Sequence, residues 1–209
     1  MTRPVLILTS SIVFLLGAWQ TGYGAWIYVK AELAQYLLAR AWAQTQGGQR
    51  HVHPWPWADT WPIARLRAPQ HDIEMLVLSN ASGRTLAFGP GHVSSTSHPG
   101  SVGTAILNGH RDTHFRFLKH LKLGETILIE NIDRETTIFT VREMHVVDAR
   151  QAIIVQDESL TQLVLVTCYP FDAIEPGGPL RYIVLAERPT SALSHPLPAT
   201  WDWAYGRFK

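Results

Sequence analysis

The sequence predicts a mainly β protein that follows an N-terminal transmembrane helix. From about Asp72 onward, short runs rich in Ile, Val, Leu and Thr are separated by Gly, Asn, Asp and Pro, as in strands joined by turns. Between Arg3 and Lys30 lies an uncharged, apolar stretch of 26 residues, long enough to cross a bilayer as a helix. Inside the β region only residues 115–121 show helical spacing, so the crossover helices of a parallel sheet are missing. We therefore predict a closed or nearly closed β-barrel.

The β region, residues 71–190, contains seven predicted strands. We expect one hairpin turn at Ser82-Gly83, between the first two strands, and another at residues 131–135, between the fourth and the fifth. The helical stretch at 115–121 is expected to cover one end of the sheet. The strands are predicted at residues 73–79, 85–89, 102–108, 126–132, 137–147, 163–168 and 181–187.

Composition and charge exclude several classes of function. The 46% of hydrophobic and 17% of charged residues indicate a folded protein. The formal net charge is +1, and the 18 Lys and Arg are mixed with the 17 Asp and Glu, so no nucleic-acid-binding surface is indicated. Cys168 is the only cysteine, which excludes an intramolecular disulfide although the N-terminus indicates export.

Residues 1–29 are predicted to anchor the protein in the cytoplasmic (inner) membrane through a single helix. Arg3 lies on the short side and several aromatic residues lie on the far side, which places the rest of the chain on the periplasmic or extracytoplasmic side. A cleaved signal peptide is the alternative, because Gly22 and Gly24 form a small-x-small pattern. We favour the uncleaved anchor because the apolar sequence continues to Val29.

Residues 30–70 are predicted to be a linker and residues 191–209 an aromatic tail. Helical spacing continues beyond the anchor and ends near Gly47-Gly48. Residues 51–62 hold three tryptophans and three prolines. We interpret them as a proline-stiffened strap whose indoles pack on the domain or on lipid headgroups, with a lid as the alternative. The tail, which contains WDWAYGRF, is expected to pack against the barrel or the membrane surface.

Cys168 and Arg181 are predicted to lie close together. Cys168 ends the apolar run LVLVTC, and the following YPFDAIEPGGP holds three prolines and two glycines. The chain must therefore turn and return as the strand RYIVLAE, which begins with Arg181. Facing residues on antiparallel strands have Cβ atoms about 5 Å apart, and diagonal ones about 7–8 Å, so the guanidinium can reach the neighbourhood of the sulfur.

His110 is the third candidate for chemistry. It lies in the segment TAILNGHRDTH, directly after the Asn108-Gly109 turn that ends another predicted strand. A thiolate attacks an amide carbonyl, and a nearby imidazole protonates the leaving amine and later deprotonates an incoming one. Arginine stays protonated, which leaves Arg181 to bind substrate or to stabilise an oxyanion.

These segments resemble those of a known family, the sortases. LVLVTC resembles the sortase TLxTC motif, NGHRD resembles the loop that carries the sortase histidine, and RYIVLAER resembles the strand with the essential arginine. The order of His110, Cys168 and Arg181 is also that of sortases. The resemblance covers roughly residues 70–188, and the N-terminal anchor with its WPWADT segment is similar to sortases of Gram-negative bacteria, called class GN.

The resemblance implies a role for each matching residue. Cys168 would form a thioester with the substrate, His110 would act as general acid and base, and Arg181 would orient the substrate or hold the oxyanion. Thr167 and Asn108 are the substrate-binding candidates, with Thr167 helping to position the sorting motif and the oxyanion. No metal and no other cofactor is carried over.

The resemblance also implies an architecture and a substrate. The barrel would have eight strands, and the loop at about residues 148–162 would close its groove. The function would be that of a cysteine transpeptidase. It would cleave an LPxTG-like C-terminal sorting signal of an exported protein after the threonine and transfer that protein to an amine-bearing acceptor. Val164 stands where the TLxTC motif begins with threonine, and both residues are β-branched and suit a strand.

Three other interpretations stay open. A lone cysteine in a strand can be a small buried hydrophobe. A zinc site is conceivable because two histidines are four residues apart, although no HExxH pattern or second thiol accompanies them. A membrane-tethered β-barrel could also bind a peptide without cutting it. The SHGC-type motif of L,D-transpeptidases does not match VTCYP. The zinc ligands would come from Cys168, His92, His98, His110, His114 and His120.

Overall fold

One α-helix, eight strands and three short 3₁₀ helices make up the part of the chain that the computed structural model describes. By its internal contacts the chain divides into two compact units, residues 1–37 and residues 38–209. The predicted aromatic tail lies outside the described residues. The described residues are 3–152, 154, 156–173, 175 and 177–189, with the side chain of Leu6 left out.

The helix α1 spans Arg3–Gln46 and is long and apolar enough, by length and composition, to cross a membrane. Its large apolar side chains are exposed in the first unit, with Phe14 at 75%. The helix ends where the sequence predicts: the N–H of Gly47 donates to the carbonyl of Ala43, and Gly48 has a φ of 99°, which glycine tolerates. This helix is compatible with the predicted single-pass anchor.

The eight strands close into a barrel in the order β1-β2-β3-β4-β7-β8-β6-β5, which confirms the predicted eight-stranded architecture. Between β2 and β4 the barrel closes through the two-residue strand β3, which pairs with β2 at one position and with β4 at two. The three 3₁₀ helices are Pro69–His71, Thr85–Ala87 and Arg116–Lys119. The strands are β1 Pro62–Ala68, β2 Ile73–Leu78, β3 Gly91–His92, β4 Gly103–Asn108, β5 Thr126–Asn131, β6 Thr136–Asp148, β7 Thr161–Cys168 and β8 Leu180–Glu187.

Strand directions define the two ends of the barrel. β7 is parallel to β4 and antiparallel to β8. The pairs β8–β6, β6–β5 and β5–β1 are all antiparallel, so β6 and β1 run in the same direction as β7. We call the end at which β4 and β7 finish and β8 begins the cysteine end. The opposite end, where β5 finishes at Asn131 and β1 begins at Pro62, is called the base.

Alternate residues of β7 face opposite sides of the sheet. Leu163 and Leu165 belong to the main hydrophobic core inside the barrel, with Leu107 of β4. Val164 belongs to a second, outer cluster, with Ile106 of β4 and Ile183 of β8, and Val166 packs against it. The same alternation places Cys168 on the outer face and Thr167 on the inner face.

The last turns of α1 belong to the second unit. Leu38 is fully buried and Trp42 is 2% exposed. The guanidinium of Arg65 in β1 lies 5.9 Å from the centre of the Trp42 ring, a cation–π contact. The amide of Gln46 donates to the carboxylate of Glu130 at 2.7 Å. The end of the helix is therefore part of the packing around the barrel.

The predicted strand at 85–89 is wrong, since this segment begins with a 3₁₀ helix. Polar side chains satisfy the backbone locally: the Ser82 hydroxyl accepts from the Thr85 N–H, and the Asn80 side-chain oxygen accepts from the Ser82 N–H. The predicted hairpin at Ser82-Gly83 is therefore also wrong. β2 pairs instead with the two-residue strand β3, in parallel, through Leu78 and Gly91.

The barrel begins at Pro62, before the boundary at residue 71 that the sequence predicts. β1 lies within the predicted linker, and its residues alternate between buried and partly buried. Alanine, arginine and the nearby prolines are poor strand formers, which hid this alternation. The predicted helix at 115–121 is a single 3₁₀ turn. The hairpin at 131–135 is confirmed, with the Asn131 N–H donating to the Glu135 carbonyl at 2.9 Å.

The Pro- and Trp-rich strap, residues 51–62, leads into β1. The ring of Trp61 packs between His51 and His53, with centroids 4.7 and 5.2 Å away. Trp55 meets Phe88 edge-on at 5.0 Å, whereas Trp57 is 82% exposed. The Trp55 indole therefore packs on the domain, as predicted, whereas the Trp61 ring packs against histidines of the strap itself. The strap runs into β1 at Pro62, and the lid alternative stays a prediction.

Candidate active site

Cys168 is the last residue of β7 and forms a direct cross-strand pair with Arg181 of β8. Its thiol is free and half-buried, on the outer face of the sheet. The predicted proximity of these two residues is thus what the strand register shows. The N–H of Tyr169 donates to the carbonyl of Leu180, which extends the β7–β8 hydrogen-bond ladder by one residue into the turn-rich segment.

His110 begins the loop after β4, beside the end of β7. Asn108, the last residue of β4, pairs with Val166. The N–H of Gly109 donates to the Val166 carbonyl at 3.1 Å, and the Gly109 carbonyl accepts from the Thr167 hydroxyl at 2.7 Å. The residue before His110 is therefore fixed to the two residues before Cys168, and the His110 side chain is exposed.

Gly109 is held on its other side by Phe115. A Cβ at this position would lie 2.7 Å from atoms of the Phe115 ring, closer than real contacts allow. The Phe115 N–H donates to the His110 carbonyl at 3.0 Å, which closes the loop into a compact turn. The loop that presents His110 therefore has little room to shift.

Arg181 is half-buried and directs part of its guanidinium toward the main chain. Nη1 donates to the carbonyls of Gly178 and Leu180, at 2.7 and 2.8 Å. A guanidinium has five N–H donors, so these two bonds orient the group without using all of its donors. The structure thus brings Cys168, Arg181 and the His110 loop to the same end of the barrel.

The two predicted substrate-binding residues differ in their surroundings. Thr167 is 2% exposed, and its hydroxyl is used inside the protein by the bond to Gly109. Asn108 is half-buried at the end of β4, beside the cysteine end. Contact of either residue with a substrate stays a prediction.

Arg111 is a residue of this region that sequence reasoning missed. Its side chain is 7% exposed, although arginine is rarely so buried without a partner. The guanidinium donates to three main-chain carbonyls, those of Pro170, Ala173 and Glu175, at 2.7, 2.8 and 3.3 Å. All three lie in the segment that follows Cys168. The only signal in the sequence is the position of Arg111 next to His110.

His114 is close enough to His110 for their charges to interact. Burial lowers the pKa of His114 below its usual value of 6.5, and the positive charge of His110 lowers it further. The Thr113 hydroxyl lies 3.2 Å from Nδ1 of His114. For the zinc alternative, the described part of the chain gathers no group of three or more His, Cys, Asp or Glu side chains that could hold a metal ion.

An apolar strip on the outer face leads to Cys168. Its buried members, Ile106, Val164 and Ile183, lie on three neighbouring strands. Ile154, from the segment between β6 and β7, packs against this strip. The predicted groove-closing loop at 148–162 thus contributes at least one side chain to the cover of the strip. The half-buried Val166 of β7 is the apolar side chain of this cluster that lies nearest to Cys168 on the same face of the strand.

A cavity of about 610 Å³ lies at the other end of the barrel. Pro62 and Asn131 mark it as a feature of the base, and Trp61, His92 and His98 also line it. None of its lining residues belongs to the candidate site. The position of this cavity therefore differs from that of the thiol. The chemistry of the side chains, and not cavity volume, identifies the candidate site.

Comparisons with known proteins agree with this geometry. Residues 66–189 match the sortase domain. Sortase D of Bacillus subtilis (strain 168) is 30% identical over 125 residues, which are 60% of this chain and 63% of that protein, so the chain spans less than two thirds of that relative. Sortase A from Corynebacterium diphtheriae is similar in structure, with a TM-score of 0.57, 25% identity and coverage of 67% of this chain and 66% of that one.

A sortase C from Clostridium perfringens, solved with the C-terminal cell wall sorting motif, shares the fold. It has a TM-score of 0.56 at 17% identity and covers 82% of this chain and 97% of its own. Because the domain match covers more than half of the 209 residues, the chain belongs to the sortase family. Membership of the Gram-negative class GN stays a prediction.

Proposed function

We propose that this protein is a membrane-anchored cysteine transpeptidase, with Cys168 as nucleophile, His110 as general acid and base, and Arg181 as the residue that orients substrate or stabilises the oxyanion. The observation that carries the proposal is the register of β7 and β8, which pairs Cys168 directly with Arg181. The bonds of Gly109 to β7 add the His110 loop to the same place.

The proposed reaction has two acyl-transfer steps. In the first, the Cys168 thiolate attacks the carbonyl carbon of the scissile amide, the C–N bond breaks, and the leaving amine takes a proton from the His110 imidazolium. This step leaves a thioester on Cys168. In the second, the incoming amine loses a proton to His110 and attacks the thioester carbonyl, which releases the thiolate and forms a new amide. Arg181 stays charged throughout and faces the oxyanion of each tetrahedral intermediate.

The proposed substrate is an exported protein with an LPxTG-like C-terminal sorting signal, and the proposed acceptor carries an amine. Two observations support this choice. The half-buried Val166, on the same face of β7 two residues before Cys168, offers an apolar contact to an extended peptide. The fold is shared with a sortase C that was solved with a sorting motif.

The proposed location is the cytoplasmic (inner) membrane, with the barrel on the periplasmic or extracytoplasmic side. α1 supplies a candidate for a single span. Arg3 at its beginning and the aromatic residues toward its end support an orientation with the N-terminus inside. Labelling of the barrel by a membrane-impermeant reagent in intact cells tests this orientation.

The decisive experiment is a search for the thioester by intact mass. The full chain in detergent is incubated with a panel of sorting-signal peptides, and the expected product is an adduct with the mass of the acyl fragment. Since Cys168 is the only cysteine, such an adduct is assigned without ambiguity. Cys168→Ala is expected to abolish the adduct and to lower peptide cleavage by at least about 1,000-fold.

The same experiment separates the two candidate functions. A peptide-binding module without catalysis would hold the peptide equally well with and without the thiol and would form no adduct. If Cys168→Ala cleaves peptides at the rate of the unaltered chain, the transpeptidase proposal is wrong.

A further inference from the structure

Arg111 links the two loops that meet at the cysteine end. It lies next to His110 in the loop after β4, and its guanidinium donates to three carbonyls in the segment between Cys168 and Arg181. The first acceptor, Pro170, is two residues from the nucleophile. One side chain therefore joins the backbone beside His110 to the backbone that leaves Cys168.

The surroundings of Arg111 make this link specific. The guanidinium is buried, so the three bonds form away from water, and bonds from a charged donor are roughly twice as strong as neutral ones. Within the described part of the chain, Arg111 forms a single ion pair, with Asp112, which is long at 3.4 Å and joins it to a carboxylate that is 70% exposed. The partners that hold the guanidinium are thus main-chain oxygens, which a planar fork of donors can reach together.

The same segment carries the acceptors of Arg181. Nη1 of Arg181 donates to Gly178 and Leu180, near the other end of the segment. One arginine thus holds the segment near Cys168, and the other holds it where β8 begins. A shift of this segment would change the position of the thiol, of the Arg181 guanidinium, or of both relative to His110.

We propose that Arg111 is a positioning residue for the acyl transfer: by binding the carbonyls of Pro170, Ala173 and Glu175, it fixes the His110 imidazole relative to the Cys168 sulfur. This inference depends on the proposed function, because it assigns His110 and Cys168 to one reaction. The hydrogen bonds of Arg111 go to these carbonyls and to Asp112, so we assign it a role in positioning and not in the chemical step.

The first test compares Arg111→Met and Arg111→Lys with the unaltered chain, all as full-length protein in detergent. We expect kcat for peptide cleavage to fall by roughly 100-fold in Arg111→Met with KM nearly unchanged, since a misplacement of about 1 Å costs this much. Arg111→Lys is expected to lose at least about 10-fold, because one ammonium cannot reach three carbonyls as the planar fork does. Arg116→Met, an exposed residue of the next 3₁₀ helix, is the matched control and should keep its kcat.

The second test uses the reactivity of the thiol and needs no substrate. The rate of alkylation of Cys168 by iodoacetamide is measured against pH in four chains: unaltered, His110→Ala, Arg111→Met, and the double variant. If Arg111 acts through His110, the Arg111→Met profile moves toward that of His110→Ala, and the double variant is no slower than His110→Ala alone. Additive losses in the double variant, or an unchanged profile in Arg111→Met, would overturn the proposal.

Folding is monitored through the thermal midpoint of each chain. If Arg111→Met does not fold, Arg111→Lys takes its place in the four-chain comparison, and a normal kcat and alkylation profile in Arg111→Lys would overturn the inference. Failure of the proposed function has a different signature: no thioester forms on Cys168 in the unaltered chain, whatever the alkylation profiles show.

Discussion

His92 is a buried imidazole in β3, 3% exposed. Its Nε2 lies 3.0 Å from the Ser97 carbonyl and 3.1 Å from the Thr96 hydroxyl, and its ring stacks on His98. Burial lowers the pKa of His92 below 6.5, hydrogen bonding with the backbone of Ser97 and Thr96 partly opposes this shift, and the charge of His98 adds to it. The folded barrel therefore favours a neutral ring at this position.

This lowered pKa predicts a loss of stability in acid. Below pH 6.5 this histidine is protonated in the unfolded chain but stays neutral in the folded chain until the pH reaches its lowered pKa. The free energy of unfolding therefore falls as the pH drops from 6.5 toward the folded pKa. The loss is at most about 1.4 kcal/mol for each pH unit between the two pKa values. We expect His92→Gln to lose less stability than the unaltered chain between pH 7.5 and pH 5, measured by denaturant unfolding. Both chains should still lose some stability in acid, because the pKa of His114 is also lowered. Equal losses of stability in the two chains would contradict the prediction.

At the residue scale, the positions of the reactive side chains were easier to predict from the sequence than the hydrogen bonds that hold the surrounding backbone. Cys168 and Arg181 end or begin strong apolar strands separated by turn residues, so local pattern alone indicated that they face each other. The contacts of Arg111 depend on three carbonyls about 60 residues away in sequence, and no local pattern records them. The burial of the Thr167 hydroxyl against Gly109 could not be predicted for the same reason.

At the element scale, strands with their own apolar pattern were predictable, and strands that depend on tertiary pairing were not. β7 and β8 are buried, β-branched runs whose bounds lie within two residues of the prediction. β3 has two residues and pairs in parallel across a loop, so it leaves no periodic signal. β1 alternates correctly but uses alanine and arginine, which are weak strand formers.

The loop after β4 offers a test of how rigidly an element must hold His110. Gly109→Ala would place a Cβ 2.7 Å from the Phe115 ring, while the Gly109 backbone is fixed to β7 on the other side. We expect the loop to shift, the free energy of unfolding to fall by about 1–3 kcal/mol, and peptide cleavage to fall by about 10-fold or more. Both are measured on the full chain, by denaturant unfolding and by steady-state kinetics.

The matched control for this variant is Gly83→Ala. Gly83 lies in an exposed turn, and a Cβ there would meet nothing within 4 Å. It should leave both stability and cleavage within experimental error. If Gly109→Ala behaves like Gly83→Ala, the tight contact with Phe115 does not constrain the His110 loop.

At the scale of the whole molecule, α1 serves two units at once. Residues 3–37 expose large apolar side chains such as Phe14 and Trp19, a surface that water would not tolerate over this area and that lipid would cover. Residues 38–46 instead bury Leu38 and Trp42 within the barrel unit. The boundary between the two units therefore lies inside the helix, at residues 37 and 38, and not at residue 29, where the sequence predicts the end of the anchor.

Truncation at two points of α1 tests this division. A chain that starts at Leu38 keeps the buried face of the helix, and we expect it to stay soluble without detergent, to keep the free energy of unfolding of the barrel, and to cleave soluble peptides with unchanged kcat.

A chain that starts at Gly47 loses Leu38 and Trp42. Because removing a buried tryptophan side chain costs about 3–5 kcal/mol, its free energy of unfolding should fall by at least that amount. Trp42→Ala in the longer chain is the control, which should reproduce only part of this loss, since Leu38 is also fully buried. Equal unfolding free energies for the two truncated chains, measured in urea, would show that the helix end is not part of the barrel unit.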